Sequence, residues 1–200
     1  VLMDVAVASV TPAAEAAPAS GGRKVLLTAM RNEAAFLLEW VAYHKAIGFD
    51  HIVVAANPSD DGTDAILKAL AKAGEIEFLP HTPPEGVSAQ ANAMRVFDDG
   101  KVTRDGDWVL WLDADEFLVV HAGAGRVADL IARLGAAQGI LINWRIFGDS
   151  GNARFPGRLV SPSFSRASRR KFFENRLIKT FFRHGPAIAG WQGSFLHRPL

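Results

Sequence analysis

The chain has 200 residues, of which 49% are apolar and 22% charged, a composition typical of one globular domain with a substantial core. It contains no cysteine, which excludes disulfides, a thiolate nucleophile and thiolate metal ligands. Residues 1–22 are rich in Ala and Pro and lack the basic leader of a signal peptide. We therefore expect a disordered lead-in over residues 1–22 and a single domain over residues 23–200.

Strand-like and helix-like patterns alternate along the first two-thirds of the chain. Short apolar runs predict strands at 25–29, 51–56, 75–79, 107–112 and 139–144, with a last one at 177–182. Helical patterns predict a helix from an Asn32 cap to Gly48 and others at 64–73, 87–102 and 126–134. This alternation indicates an α/β fold with a mostly parallel sheet flanked by helices. Residues 151–170 are expected to form a basic loop.

The net charge of +1 conceals a strong asymmetry. Residues 1–150 carry 12 Lys and Arg against 20 Asp and Glu, whereas residues 151–200 carry 10 against 1. Either the last quarter contacts an anionic partner, or a basic face balances an acidic one within the fold.

Three carboxylates follow the strand predicted at 107–112, in Asp113-Ala114-Asp115-Glu116. In open α/β sheets, ligands gather at the carboxyl ends of the strands. Two carboxylates one residue apart suit a hard divalent ion that keeps open positions for substrate phosphate oxygens. The alternative interpretation is a solvated Asp-rich turn.

Three turns in this order resemble those of the family 2 glycosyltransferases with the GT-A fold. They are Met30-Arg31-Asn32-Glu33, the turn 57–63, and Asp113-Ala114-Asp115-Glu116-Phe117. The similarity is closest to the bacterial subgroup with an Arg-Asn-Glu first turn, and it covers roughly residues 24–199. It implies an inverting enzyme of polysaccharide biosynthesis that uses Mn²⁺ or Mg²⁺. The sugar would pass from a nucleotide sugar, with UDP the first choice, to a glycan, lipid-linked or polysaccharide acceptor.

The resemblance assigns the nucleotide pocket to the first two turns. Met30, Asn32 and Glu33 would line it, with Glu33 near the base or ribose. Asn57 stands where the family commonly presents an acidic residue to the base, so the identity of the base stays open.

The resemblance also assigns further donor and metal contacts. Gln90 and Asn92 would face the donor, unless they lie on the helix surface. Asp113 would reach the ribose or the metal, Asp115 would bind the metal directly, and His197 is the candidate for a third metal ligand.

An inverting transferase needs a carboxylate that takes the proton of the acceptor hydroxyl. After residue 145 the chain offers Asp149 and Glu174. Asp149 lies in a turn-like loop and has the alternative interpretation of an Asx-turn residue. Glu174 stands among cations, which favours an ion pair, but its position makes it our first choice.

Two other functions stay open at this stage. A non-catalytic nucleotide-sugar or glycan-binding module would explain the short length and the lack of a clear base. A phosphatase or phosphotransferase could use Asp113 as its nucleophile.

The basic stretch 166–183 could hold the donor diphosphate or an anionic acceptor, and no nucleic-acid module is recognisable. We expect a cytoplasmic protein with peripheral contact to the inner membrane face. A missing C-terminal segment also stays open, because many relatives have further helices there.

Overall fold

The computed structural model describes residues 2–5 and 21–186, and the side chains of residues 21–186. Its strands are β1 Leu2–Val5, β2 Lys24–Met30, β3 His51–Ala56, β4 Glu77–Pro80, β5 Trp108–Trp111, β6 Phe117–Val120, β7 Gly139–Arg145 and β8 Ile178–Arg183. Its helices are α1 Leu37–Ala46, α2 Thr63–Lys72, α3 Ala89–Gly100, α4 Val127–Leu134, the single turn α5 Val160–Ser163, and a 3₁₀ helix at Phe173–Arg176.

The sheet has the order β4-β3-β2-β5-β8-β7-β1-β6. Strands β4, β3, β2 and β5 are parallel to one another, and β8 is antiparallel to both β5 and β7. Chain order runs from β2 outward to β4 and then returns to β5 on the other side of β2. The sheet therefore has a topological switch point between β2 and β5, where open α/β sheets bind their ligands.

Successive residues of the central strands point to opposite faces of the sheet, because side chains alternate along a strand. Leu26, Ile52 and Leu110 pack with α1, α2 and α4 on one face. Leu27 and Trp111 pack with α3 on the other. The expected α/β architecture, a mostly parallel sheet between helices, is confirmed.

The structure departs from the sequence-based expectations at four places. α1 begins at Leu37 and no side chain caps its first turn, so the Asn32 cap is wrong. Strand β6 was not predicted, and β1 lies within the segment expected to be a disordered lead-in. β1 pairs with both β6 and β7, contacts that no local pattern specifies. A turn of helix, α5, interrupts the predicted basic loop.

Within residues 2–5 and 21–186, none of the helices combines the length and the apolar character needed to cross a membrane.

Candidate active site

Four carboxylates lie together where β2, β3 and β5 end, and we call them the carboxylate edge: Glu33, Asp61, Asp113 and Asp115. Glu33 follows β2, Asp61 lies in the turn after β3, and the two other aspartates follow β5. Burial, followed in order of size by the charges of Asp115, Asp61 and Asp113, raises the pKa of Glu33 to about 7. The three aspartates repel the ionised form of Glu33, which shows that negative charge is concentrated at the switch point.

Hydrogen bonds interlock the turns that follow β2 and β3. Asn32 adopts a left-handed conformation with φ 58°, which asparagine tolerates better than most residues. Its backbone N–H donates to Ser59 Oγ at 3.1 Å, and its Oδ1 accepts the N–H of Asp60 at 3.1 Å. The N–H of Glu33 donates to Thr63 Oγ1 at 2.8 Å. Glu33 is thus held in position by the neighbouring turn, not by a helix cap.

Asp61 is stabilised as a carboxylate by the same turn. Thr63 Oγ1 donates to its Oδ1 at 2.6 Å, and the N–H of Ala34 donates to its Oδ2 at 2.9 Å. These bonds, those from Thr63 foremost, lower the pKa of Asp61. The turn therefore keeps a negative charge beside Glu33.

A buried lysine holds the turn that carries Asp113. Lys179 of β8 is fully buried, and its Nζ lies 2.9 Å from Asp113 Oδ2 and 3.0 Å from Glu116 Oε2. Glu116 Oε2 also accepts the N–H of Asp113 at 2.8 Å. Trp40 Nε1 donates to the carbonyl oxygens of both Asp113 (3.1 Å) and Glu116 (2.8 Å). Sequence reasoning missed Lys179, although a lysine within the apolar strand Ile178–Arg183 is a signal that could have found it.

Glu116 is 1% exposed, and burial raises its pKa to about 7 while the charge of Lys179 acts in the opposite direction. A buried carboxylate is costly unless a cation accompanies it. Lys179 is therefore the counter-charge that lets the acidic turn fold.

A cavity of about 490 Å³ opens beside the carboxylate edge. Asp115 and Asp149 both line it, together with Phe36, Phe117 and residues of the segment 147–164. Asp149 Oδ1 accepts the N–H of Gly151 at 2.9 Å, so the Asx turn is present. The structure therefore brings Asp149, and not Glu174, into the same cavity as Asp115. Glu174 lies exposed on the 3₁₀ helix, outside that lining.

Glu39 of α1 forms hydrogen bonds with the wall of this cavity. Its carboxylate accepts the backbone N–H of Val160 and, at 3.1 Å, that of Ser161, whose Oγ also donates to it at 2.8 Å. Because Val160 and Ser161 line the cavity, Glu39 ties this part of the cavity wall to α1.

The other residues proposed for the donor pocket lie in different surroundings. Met30 is 2% exposed and its side chain packs in the core, while its carbonyl accepts the N–H of Asn57 at 3.2 Å. Gln90 is exposed on α3. Asn92 Nδ2 lies 2.7 Å from His81 Nδ1. His197 falls outside the described residues.

The described residues fit a divalent ion only in part. Within residues 2–5 and 21–186, no three His, Asp or Glu side chains are grouped as a metal site. Mg²⁺ and similar hard ions, however, are commonly held by one or two carboxylates together with substrate phosphates. Lys179 contacts Asp113 through Oδ2, which leaves Oδ1, and Asp115 is exposed at the cavity. Two oxygen ligands at the switch point fit an ion that is shared with a diphosphate.

Comparison with known proteins agrees with a glycosyltransferase. A glycosyltransferase family 92 protein of Ricinus communis is 26% identical over 146 residues, which are 70% of this chain and 25% of the relative. A family 92 protein of Oryza sativa subsp. japonica is 27% identical over 146 residues, 69% of this chain and 24% of the relative. The chain thus spans about a quarter of the length of these curated relatives.

Solved structures give weaker similarities. S. aureus TarS superposes with a TM-score of 0.37 at 15% identity, covering 46% of this chain and 16% of that chain. A 4-diphosphocytidyl-2C-methyl-D-erythritol synthase superposes with a TM-score of 0.42 at 15% identity, covering 82% of this chain and 76% of that chain.

The resemblance to glycosyltransferases is confirmed, but the family that matches is numbered 92, and the bacterial family 2 subgroup is not confirmed. The family model of glycosyltransferase family 92 matches residues 27–184, more than three-quarters of the chain and nearly all of the described domain. This chain belongs to glycosyltransferase family 92.

Proposed function

We propose that this chain is the catalytic domain of a metal-dependent glycosyltransferase. The observation that supports the proposal is the concentration of Glu33, Asp61, Asp113 and Asp115 at the switch point, beside a cavity large enough for a sugar. The donor is a nucleotide sugar, with a UDP-sugar as first choice, and the acceptor is a glycan, free, lipid-linked or in a polysaccharide.

Asp113 and Asp115 would hold the divalent ion, Mn²⁺ or Mg²⁺. When bound there, the ion would neutralise charge on the departing diphosphate. Lys179 pairs with Asp113, and the interlocked turns hold Glu33 within electrostatic range of Asp61 and Asp115. Glu33, Asn32 and Asn57 remain our candidates for contacts to the nucleoside, while Gln90 and Asn92 of α3 have the weaker claim.

Asp149 is our candidate for the general base, in preference to Glu174, because it shares the cavity with Asp115. Asp149 would take the proton of an acceptor hydroxyl as the oxygen attacks the anomeric carbon. The bond from that carbon to the diphosphate oxygen breaks in the same displacement. A single displacement inverts the anomeric configuration, as in the family 2 enzymes that the sequence resembles.

A non-catalytic nucleotide-sugar-binding module is the rival function. The observation that favours it is that Asp149, the candidate base, already accepts the N–H of Gly151 within an Asx turn. We also propose a cytoplasmic location with peripheral membrane contact, on the strength of the basic charge after residue 150.

The test is a calorimetric titration of UDP into the protein, with and without Mn²⁺, on the wild type and on Asp115→Ala. Binding should require Mn²⁺ and should be lost in Asp115→Ala, because a ligand to the ion is removed. Asp105→Ala is the matched control, since Asp105 is exposed and lies at the opposite edge, before β5.

The same preparations should release UDP from a UDP-sugar when a glycan acceptor is added, and Asp149→Asn should slow this release by roughly a hundredfold while keeping UDP binding. UDP binding without turnover for any sugar would favour the binding module. Equal UDP affinity in the wild type and Asp115→Ala would refute the metal site.

A further inference from the structure

A second cavity has a volume of about 460 Å³ and four cations among its eight lining residues, and we call it the basic pocket. It shares no lining residue with the cavity that contains Asp115. Its cationic lining residues are Arg145, Arg170, Lys171 and Arg176. The aromatic lining residues are Phe172, which is exposed, and Trp144, which also packs against the hydrophobic core.

These four cations have no anionic partner in the part of the chain that the structure describes. No described carboxylate forms a salt bridge with any of them. Glu174, the nearest acid in the chain, is exposed on the 3₁₀ helix and does not line the pocket. Four like charges around one cavity repel each other, so an oxyanion placed between them would be strongly favoured. The planar guanidinium groups of arginine match carboxylate and phosphate oxygens pairwise.

One buried side chain builds the pocket in advance of any ligand. Asn175 is 8% exposed; its Oδ1 accepts the N–H of Ile146 at 3.0 Å and the Oγ–H of Ser168 at 3.1 Å. Its Nδ2 donates to the carbonyl oxygens of Arg169 at 2.9 Å and Arg170 at 3.3 Å. Asn175 therefore ties the end of β7 to the loop that carries Arg170. The fold therefore fixes the backbone that surrounds the pocket.

The basic pocket lies at the same edge of the sheet as the carboxylate edge. Arg145 ends β7, and β7 runs in the same direction as β5 because both are antiparallel to β8. Only β8 separates the two strands, and the register places Trp111, the end of β5, level with Leu141 of β7. Arg145 is four residues further along β7, so the two strand ends are about 16 Å apart at the usual strand spacing and rise per residue. A sugar chain that enters the cavity beside Asp115 could extend as far as the basic pocket.

We propose that the basic pocket binds an anionic sugar of the acceptor, through a phosphoryl or carboxylate group on that sugar. The inference rests on the proposed function and adds the chemical class of the acceptor. The cavity is larger than a single oxyanion requires, and its aromatic walls suit the apolar face of a sugar ring. A concave pocket favours a small group over the flat surface of a membrane.

The test measures binding of glucose 6-phosphate, glucuronate and glucose to the full chain by calorimetry. The two acids should bind and glucose should not, and added salt should weaken the binding of both acids because charge pairing drives it. Glucose that binds as well as the acids would overturn the proposal. So would binding to anionic phospholipid vesicles in the absence of any binding to the two soluble acids.

The variant Arg170→Gln/Arg176→Gln should bind both acids roughly tenfold more weakly or worse, since it removes two charged donors. The matched control is Arg133→Gln/Arg166→Gln, which removes the same charge from exposed positions outside the pocket and should change the affinity less than about twofold. Equal affinity in the two double variants would contradict the proposal. Circular dichroism should confirm that both fold.

Failure of the proposed function would look different. Mn²⁺-dependent UDP binding should be the same in both double variants and in the wild type. If no form binds UDP while the acids still bind in the Arg170- and Arg176-dependent manner, the anion site stands and the donor site fails. If UDP binds and the acids do not, the donor site stands and the acceptor class is wrong.

Discussion

The carboxylate edge and the basic pocket lie at one edge of the sheet but balance their charge in opposite ways. At the carboxylate edge, the fold supplies the compensation: Lys179 pairs with Asp113 and Glu116, and Thr63 hydrogen-bonds Asp61. Around the basic pocket, the described residues supply rigid geometry through Asn175 but no counter-charge. The comparison suggests that the first region is stabilised by the protein itself, whereas the second completes its charge balance with a ligand.

Lys179→Met tests the internal compensation at the carboxylate edge, and we expect the largest effect here. The variant removes the cation that pairs with Glu116 and Asp113. The free energy of unfolding should therefore fall by roughly 3–5 kcal/mol at neutral pH. Urea denaturation measures the loss. Lys72→Met, an exposed lysine at the end of α2, is the control and should lose less than about 0.5 kcal/mol.

The double variant Lys179→Met/Glu116→Gln should recover part of the loss, because it also removes the buried carboxylate that Lys179 accompanies. A loss below about 1 kcal/mol in the single variant would mean that Lys179 does not compensate the acidic turn.

Asn175→Ala tests the scaffold of the basic pocket. It removes the two hydrogen bonds that the side chain donates and the two that it accepts. The N–H of Ile146 and the carbonyl of Arg169 lose their partner, so the free energy of unfolding should fall by about 2 kcal/mol. Thermal unfolding measures it, with the neighbouring exposed Glu174→Ala as control. In the comparison of the two regions, Mn²⁺-dependent UDP binding should survive in Asn175→Ala while binding of acidic sugars weakens. Loss of UDP binding in a folded Asn175→Ala would show that the two regions are not independent.

Glu33→Gln tests the repulsion within the carboxylate edge and has the smallest expected effect. The pKa of Glu33 is raised in the fold from 4.5 to about 7, so the native state holds this proton more tightly than the unfolded chain does between those values. Ionised Glu33 therefore costs stability, a cost absent below pH 4.5 and complete above pH 7. Glu33 is about half-buried, and solvent screening limits the gain of Glu33→Gln to on the order of 1 kcal/mol at pH 8.

The gain should shrink as the pH falls towards 4.5, and it should disappear at pH 8 when Mn²⁺ is added, because a bound cation would offset the same repulsion. Unfolding midpoints of Glu33→Gln and of the exposed control Glu85→Gln, measured across this pH range, check both statements. A gain that is independent of pH would contradict the raised pKa.

The parallel half of the sheet was predictable because its signals are local. Each apolar run that precedes a turn forms a strand. The strand order β4-β3-β2-β5 follows from short connections through amphipathic helices. The antiparallel half was less predictable. Strand β6 is only four residues long and pairs with β1, which lies more than a hundred residues earlier. No periodicity within a short segment encodes such a partner.

The candidate site likewise has residues that local patterns predict and residues that only long-range contacts bring together. The aspartates Asp113 and Asp115 were predictable, since their motif directly follows an apolar strand. The preference for Glu174 over Asp149 rested on sequence position, whereas the sharing of one cavity by Asp149 and Asp115 is a tertiary fact. Likewise, Lys179 is 66 residues from Asp113, and only the antiparallel pairing of β5 with β8 brings the two together.

Local sequence patterns specify the α/β alternation, the three polar strand-end turns and the division of charge between the first 150 residues and the rest. These are properties of neighbouring residues, which hydrophobic periodicity and composition record directly. How the charges meet depends on the tertiary structure: Lys179 pairs with the acidic turn, Asp149 lines the same cavity as Asp115, and the arginines surround Asn175. Those contacts join residues far apart in the chain, and their geometry follows from strand order and packing, which no local pattern contains.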